Sequence, residues 1–427
     1  MNPAKYYISD PWLEPFTGII ESRISKCLEK ESDLAVNGSL KQFAMGHFYY
    51  GLHFSNTGWI FREWAPNAKS IFLIGTFNNW KEKQEFRLLK INSYGDWEIK
   101  IPHDSIRHGD LFKLSIHWDG GKGERIPSYA TRVIQDERTK IFSCQVWKPE
   151  SEYKWEIENF TASSTAPVIY EAHIGMATPE ERLGTYSEFT ENVLPLIISS
   201  GYNTIQLMAI QEHPFYGSFG YHVANFFAAS SRFGTPEDLK ALVDRAHQSG
   251  IRVIMDLVHS HSVKNINEGL GMFDGTPGLY FHINHRRNHI AWDSLCFDYG
   301  KDNVLHFLLS NCRYWLEEFK FDGFRFDGVT SMIYYNHGLE KNFTSYNDYF
   351  DGGQDEDALV YLYLANRMIH DFKPGAITIA EEMSGMPGIA CDTARKGYGF
   401  DYRLSMGVPD LWIKLVKDTP DENWDMG

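Results

Sequence analysis

Between Phe321 and Gly328 the chain reads FDGFRFDG, which sets an arginine and a carboxylate two residues apart in a short apolar run. As a buried strand this run alternates its side chains, so Arg325 and Asp327 point one way and Phe324 and Phe326 the other. An adjacent guanidinium favours the carboxylate form and would hold Asp327 ionised. A fixed, ionised carboxylate at the end of a strand is what a covalent nucleophile of glycoside chemistry requires. The same two residues could equally form a structural ion pair, and this segment by itself does not choose.

Two other segments end in chemistry-bearing residues: Asp256-Leu257-Val258-His259-Ser260-His261 and Ile379-Ala380-Glu381-Glu382. If the three strand ends converge, Asp327 and Glu381 could flank a single bond. Retaining glycoside chemistry needs one ionised carboxylate and one protonated acid about 5 Å apart. Glu381 follows Ile377, Ile379 and Ala380, so an apolar surround and the Asp327 charge should both raise its pKa. Glu382 points to the opposite face and reads as structural. His259 and His261 form an HxH pair like that of metal-dependent barrel hydrolases. There, however, it sits on the first strand with further ligands, whereas here it lies on the third. No metal is expected, and His259 reads as a satisfied structural histidine. Asp256 either braces the barrel mouth or touches a ligand.

Strands that end together need a frame. From Val168 the chain alternates apolar runs with helical ones. VIYEAHIG (168–175) leads to ENVLPLIIS (191–199), and NTIQLMAI (203–210) to TPEDLKALVDRAHQSG (235–250). IRVIMDLVHSH (251–261), the helix VLHFLLSNCRYWLEEF (304–319), FDGFRFDG, the helix LVYLYLANRMIHDF (359–372) and ITIAEE (377–382) follow. Strand–helix alternation with unbroken apolar strands predicts a parallel sheet covered on both faces. Chemistry at strand C-termini predicts a (β/α)8 TIM barrel, and no glycine-rich phosphate loop supports the doubly wound alternative. Residues 46–160 instead carry short strands such as GWIFREWAP, SIFLIGTF, DWEIKI and DLFKLSIHW, separated by turn residues. That is the pattern of an antiparallel β-sandwich. Residues 1–45 read as a helical segment around Ile19, Ile20, Ile24 and Leu28, and Ser163–Pro167 as a linker into a catalytic barrel over 165–427.

Composition sets the outer limits. The 427 residues suffice for two or three domains, and no apolar run is long enough for a membrane span. The net charge of −15, with no basic block, argues against nucleic acid. Five scattered cysteines without CxxC spacing predict reduced thiols, and no signal pattern opens the chain, so the expected location is cytoplasmic. Aromatics make up 15% of residues, with 12 Trp and 23 Tyr, which suits either aromatic cores or stacking on sugars.

DLVHSH, GFRFDGVTSM and TIAEEMSGMP resemble three of the four signature segments of the α-amylase superfamily. EHPFYGSFGYHVANFFAASSRFGTPEDLKALVDRAH, LEEFKFDGFRFDGVTSMIYYNHGL, GFDYRLSMGVPDLWIKLVK and DPWLEPF are similar to the glycogen and starch branching enzymes, especially the eukaryotic type. The resemblance covers nearly all 427 residues. It implies transfer of an α-1,4-glucan segment through a glycosyl-enzyme ester to a 6-hydroxyl, forming an α-1,6 branch in glycogen, amylose or amylopectin. It assigns Asp327 as nucleophile and Glu381 as general acid/base. Arg325 and His261 fall around the −1 glucose, with Tyr221 stacking on that sugar and Asp256 open to contact with the ligand. Trp64, Pro66, Trp80 and Trp97 match glucan-contacting or sheet-forming positions of a starch-binding module. The resemblance implies no cofactor, and the expected state is a monomer.

Members of that family continue past the equivalent of Asp425-Met426-Gly427 into the fourth signature segment, with a histidine and a third catalytic aspartate. Five clear barrel strands and a sixth candidate near Gly399–Tyr402 are found here, so the barrel is expected to be incomplete. Loose packing and weakened activity are expected with it. Two other functions fit less of the sequence: a debranching α-1,6-hydrolase, and a glucan-binding protein with an inert barrel.

Overall fold

The computed structural model describes residues 10–36, 38–163 and 165–425. Met1–Ile8 and Ser9 of the expected N-terminal segment, and Ser164 of the expected linker, lie outside them.

Asp10 accepts a hydrogen bond from the Trp12 N–H (2.9 Å) and opens a tight turn over Pro11–Phe16, which runs into the helix Thr17–Leu34. This helix buries Ile20, Ile24 and Cys27 against the barrel helix Glu356–Phe372, while Ile19 and Leu28 are exposed. Arg23 and Lys26 fix it there through Gln354 (2.8 Å) and Asp357 (2.9 Å).

The sandwich has two antiparallel sheets. One pairs Gly51–Ser55, Gly58–Trp64, Asp96–Ile101 and Leu89–Lys90; the other centres on Ser70–Gly75 and Leu111–Trp118. Period-two alternation puts Trp59, Phe61 and Glu63 on the inner face of one strand and Trp97, Ile99 and Ile101 on that of its neighbour. The buried Glu63 is satisfied by the Ser128 hydroxyl (2.6 Å) and N–H (2.9 Å) and by the Trp64 N–H (2.9 Å). Burial pushes its carboxyl up to about 7, against the Ser128 hydrogen bonds. After Phe142–Gln145 the chain leaves the sandwich and crosses a barrel helix, where Asp244 accepts from Tyr153, Glu156 and Ile157.

Beyond residue 165 a sheet of six strands forms, in the order Ile169–Ala172, Thr204–Leu207, Arg252–Leu257, Gly323–Phe326, Ile377–Ala380, Tyr402–Arg403. Every neighbouring pair is parallel. The sheet is a half barrel, with the sixth strand just past the position expected for it. Its helices fall within three residues of the expected starts. Thr235 and Asp238 form a capping box on the helix Pro236–Gln248, with proline at its first position. The helices Asp302–Glu318 and Glu356–Phe372 bury long apolar faces on the sheet. The helix Gly407–Asp418 buries no residue, leaving Val408, Leu411, Trp412, Ile413 and Val416 exposed. Among the described residues no helix is long and apolar enough to cross a membrane.

Candidate active site

Parallel register decides which strand ends meet. Asp256 lies opposite Arg325, and Arg325 opposite Ile379, so alternate residues of three strands share the concave face. Ile254, Ile377 and Ile379 form an apolar layer there, and one step nearer the strand C-termini the polar groups begin. The strand Gly323–Phe326 ends just before Asp327, whose N–H donates to the Leu257 carbonyl at 3.1 Å.

Arg325 is the hub. Its Nη1 donates to Asp256 Oδ2 (3.0 Å) and Asp327 Oδ1 (2.9 Å), and its Nη2 pairs with Glu381 Oε1 (2.8 Å). One guanidinium therefore serves three carboxyls in a buried site, a task for its planar fork of donors. Burial pushes Asp256 up to about 7, against the Arg325 charge and the Tyr221 hydrogen bond. Burial likewise raises Asp327 and Glu381, with Arg325 opposing it in both. The neighbouring Asp327 charge raises Glu381 further. The Gly328 N–H holds the other oxygen of Glu381 at 2.7 Å. Two carboxyls held on one guanidinium suit the close pair of the retaining class.

Around this pair, Tyr221 donates to Asp256 Oδ2 (2.7 Å), and Gln206 Nε2 bridges Asp256 Oδ1 and Glu171 Oε1 (2.8 Å each). Asp256 therefore braces Arg325 and Tyr221 in one network. His261 has both ring nitrogens engaged, one with the Tyr221 carbonyl (2.8 Å) and one with Ser260 Oγ (2.9 Å), and burial keeps it neutral, near 4. Ser260 Oγ also reaches Asp327 Oδ2 at 3.4 Å. His259 is buried between Tyr361 (2.5 Å) and Asn311 (2.9 Å), a structural histidine far from any ligand role. Glu382 is wholly buried and gathers the N–H groups of Ser384, Gly385 and Met386, which shapes the loop after Glu381. Among the described residues no cluster of His, Cys, Asp and Glu could hold a metal ion.

The four sandwich residues separate. Trp64 and Pro66 are half-buried and line a cleft of about 950 Å³ between sandwich and barrel, with Asn67, Asp274 and Lys301. Trp80 is 39% exposed on a turn with φ +57°. Trp97 corrects the expectation of a glucan contact. It is 4% exposed and its indole N–H is spent on the Ala65 carbonyl (2.9 Å), because the alternation that buries Ile99 and Ile101 buries it too. Trp97→Ala should therefore cost about 3–5 kcal/mol of folding stability, as large-to-small core changes do. Trp80→Ala should stay within about 0.5 kcal/mol, as surface changes do. Denaturant melts of the two variants check this, and equal destabilisation would refute the division.

Gln206, Ser260 and Trp292 were not legible as site residues. Gln206 could have been found from strand alternation, since it falls on the same face as Glu171 in the neighbouring register. Ser260 is hidden between two more conspicuous histidines. Trp292 lies in a long loop, where no periodicity says which way a side chain points.

The chain is similar to known proteins in both of its parts. The carbohydrate-binding module 48 (isoamylase N-terminal domain) matches residues 49–130, and the alpha amylase catalytic domain matches residues 190–269. A 1,4-alpha-glucan-branching enzyme of Aspergillus oryzae is 46% identical over 98% of this chain and 62% of its own length. One of Dictyostelium discoideum is 46% identical over 99% of this chain and 63% of its own. The chain thus spans about three fifths of the length of the curated relatives it matches. The pullulanase structure from Bacillus acidopullulyticus superposes with a TM-score of 0.61 at 18% identity, covering 79% of this chain and 43% of that one; this is a likeness of fold. In sequence the chain is similar to the 1,4-alpha-glucan-branching enzymes, and it carries a stretch matching carbohydrate-binding module 48 ahead of one matching the alpha amylase catalytic domain.

Proposed function

We propose that this protein acts as a glucan branching transferase, with Asp327 as nucleophile and Glu381 as acid and base. The observation that carries this reading is the Arg325 clamp. It holds Asp327 and Glu381 on one guanidinium in a buried site that raises both carboxyls.

In the first step the Asp327 carboxylate attacks C1 of an α-1,4-linked glucosyl unit. The C1–O4 bond breaks, and the Glu381 proton passes to the departing O4. In the second step the 6-hydroxyl of an acceptor chain attacks C1 of the ester. The bond to Asp327 breaks, and the hydroxyl proton goes to Glu381. Tyr221 and Asp256, held by Arg325, Gln206 and His261, would line the reacting sugar, and Trp64, Pro66 and Trp80 would hold a glucan chain away from it. Stacking Trp97 on glucan is not part of this reading. The substrate class is glycogen, amylose or amylopectin, and the setting is glycogen or starch synthesis in the cytoplasm. Five free cysteines, four of them buried, suit a reducing compartment.

The purified protein incubated with amylose tests this. A falling iodine stain without a matching rise in reducing ends is expected, together with new bonds that an α-1,6-specific hydrolase cuts. Reducing ends rising in proportion would make it a hydrolase. Amylose binding with neither change would make it a glucan-binding protein.

A further inference from the structure

One aromatic group beside the catalytic turn belongs to none of the barrel strands. Trp292 lies in the loop between the strand Arg252–Leu257 and the helix Asp302–Glu318, and 37% of its surface is open to solvent. Its six-membered ring sits over Gly328, the residue that follows Asp327 and whose N–H holds Glu381. A Cβ at Gly328 would lie 3.0 Å from Trp292 Cη2 and 3.1 Å from Ser260 Oγ, and the glycine has φ +62°. Both the space and the left-handed backbone therefore require glycine where the indole meets the catalytic turn.

The indole is oriented rather than loosely exposed. His289 Nδ1 accepts from the N–H groups of Ala291 and Trp292 (3.1 Å each), and its Nε2 donates to Ser331 Oγ (2.7 Å), which settles the tautomer. Burial pushes His289 down to about 3, so it stays neutral and keeps that acceptor. The Trp292 ring lies flat on His289, 4.1 Å away at 4°, and His337 stacks near His289 at 4.1 Å and 37°. His261 closes one edge at 5.1 Å. With one face covered by His289, the exposed surface is that of the opposite face and the free rim. A flat apolar surface held this rigidly, at the rim of a polar catalytic mouth, matches the C–H face of a pyranose ring better than it matches water.

Position decides which sugar. The ring touches Gly328, the residue that anchors the proton donor Glu381. Asp256, to which Tyr221 donates, is held by the other arm of the Arg325 fork. We propose that Trp292 is a substrate-positioning residue for the glucosyl unit on the leaving-group side of the scissile bond. The same surface seats the acceptor chain in the second step. It thereby sets how much glycosyl-enzyme passes to a sugar hydroxyl, which returns its proton to Glu381, and how much passes to water, which leaves a free reducing end. This inference rests on the transferase reading above.

The test uses the full chain with Trp292→Phe and Trp292→Leu. Leucine keeps apolar bulk against Gly328 and His289 but has no flat ring; phenylalanine keeps a ring. With amylose, the ratio of reducing ends to new branches is expected to rise about tenfold in the Leu variant, the scale set by losing one apolar recognition contact. The Phe variant should fall between it and the wild type. Calorimetric binding of maltoheptaose should weaken about tenfold in the same order, with thermal midpoints close to wild type. A Leu variant equal to wild type in both ratio and binding overturns the inference alone. A wild type that hydrolyses amylose overturns the transferase reading, and the order of maltoheptaose affinities still decides whether Trp292 contacts glucan.

Discussion

Asp327→Asn should lower branching by about four orders of magnitude or more while leaving the fold intact, the usual result of removing one member of a cooperative catalytic set. The carboxamide keeps the size of the side chain and an oxygen for the Arg325 Nη1 contact, now 2.9 Å. It cannot form the ester. Glu381→Gln should be comparably poor on amylose for a different reason, because the leaving O4 no longer receives a proton. A maltosyl fluoride substrate separates the two roles, since fluoride leaves without protonation. Fluoride release should persist in Glu381→Gln and vanish in Asp327→Asn. Release that persists in the Asp327 variant would move the nucleophile elsewhere.

Arg325→Met has the second large effect, and it falls on stability as well as activity. Arg325 is 7% exposed and is the shared cation of Asp256, Asp327 and Glu381. Removing one partner of a buried ion cluster costs about 3–5 kcal/mol, because the remaining charges lose their compensation. The pH dependence gives the claim a sign. Burial raises all three carboxyls, and Arg325 is what opposes that rise. Without it their folded pKa values climb further above the unfolded carboxylate range. A group with a raised folded pKa binds more protons when folded, so its stabilising contribution is complete at low pH and is lost as pH rises through that pKa. The variant should therefore be least stable relative to wild type near pH 8 and recover part of the loss toward pH 5, as thermal midpoints measured across that range would show. A deficit independent of pH would mean that Arg325 acts by packing alone.

Much of this site was legible because strand periodicity carries geometry. FRFD in a strand puts Arg325 and Asp327 on one face whatever the fold around it, and IAEE does the same for separating Glu381 from Glu382. Both readings match the structure, in which Glu381 meets the clamp and Glu382 supports a loop. The same arithmetic could have placed Trp97 inside the sandwich beside Ile99 and Ile101; the module's aromatic pattern suggested a ligand contact instead. The ionisation of Asp327 was only half visible. Arginine lowers its pKa as expected, but burial works against it, and burial is a property of the packed sheet.

Alone, the sequence determined the parallel strand–helix alternation, the sandwich ahead of it, the helix over 235–250 and the two carboxylates with their arginine. Local periodicity, capping chemistry and residue type are all encoded within a few neighbouring positions. Only the tertiary structure decided that Arg325 serves three carboxyls rather than one, that His261 supports Tyr221 through its carbonyl, and that Trp292 overlies the turn after Asp327. Apart from the neighbouring Arg325 and Asp327, those relations join residues 36 to 69 positions apart, through parallel register and a long loop. Such distances are set by which strands become neighbours, and that follows from burying both faces of the sheet at once rather than from any one segment.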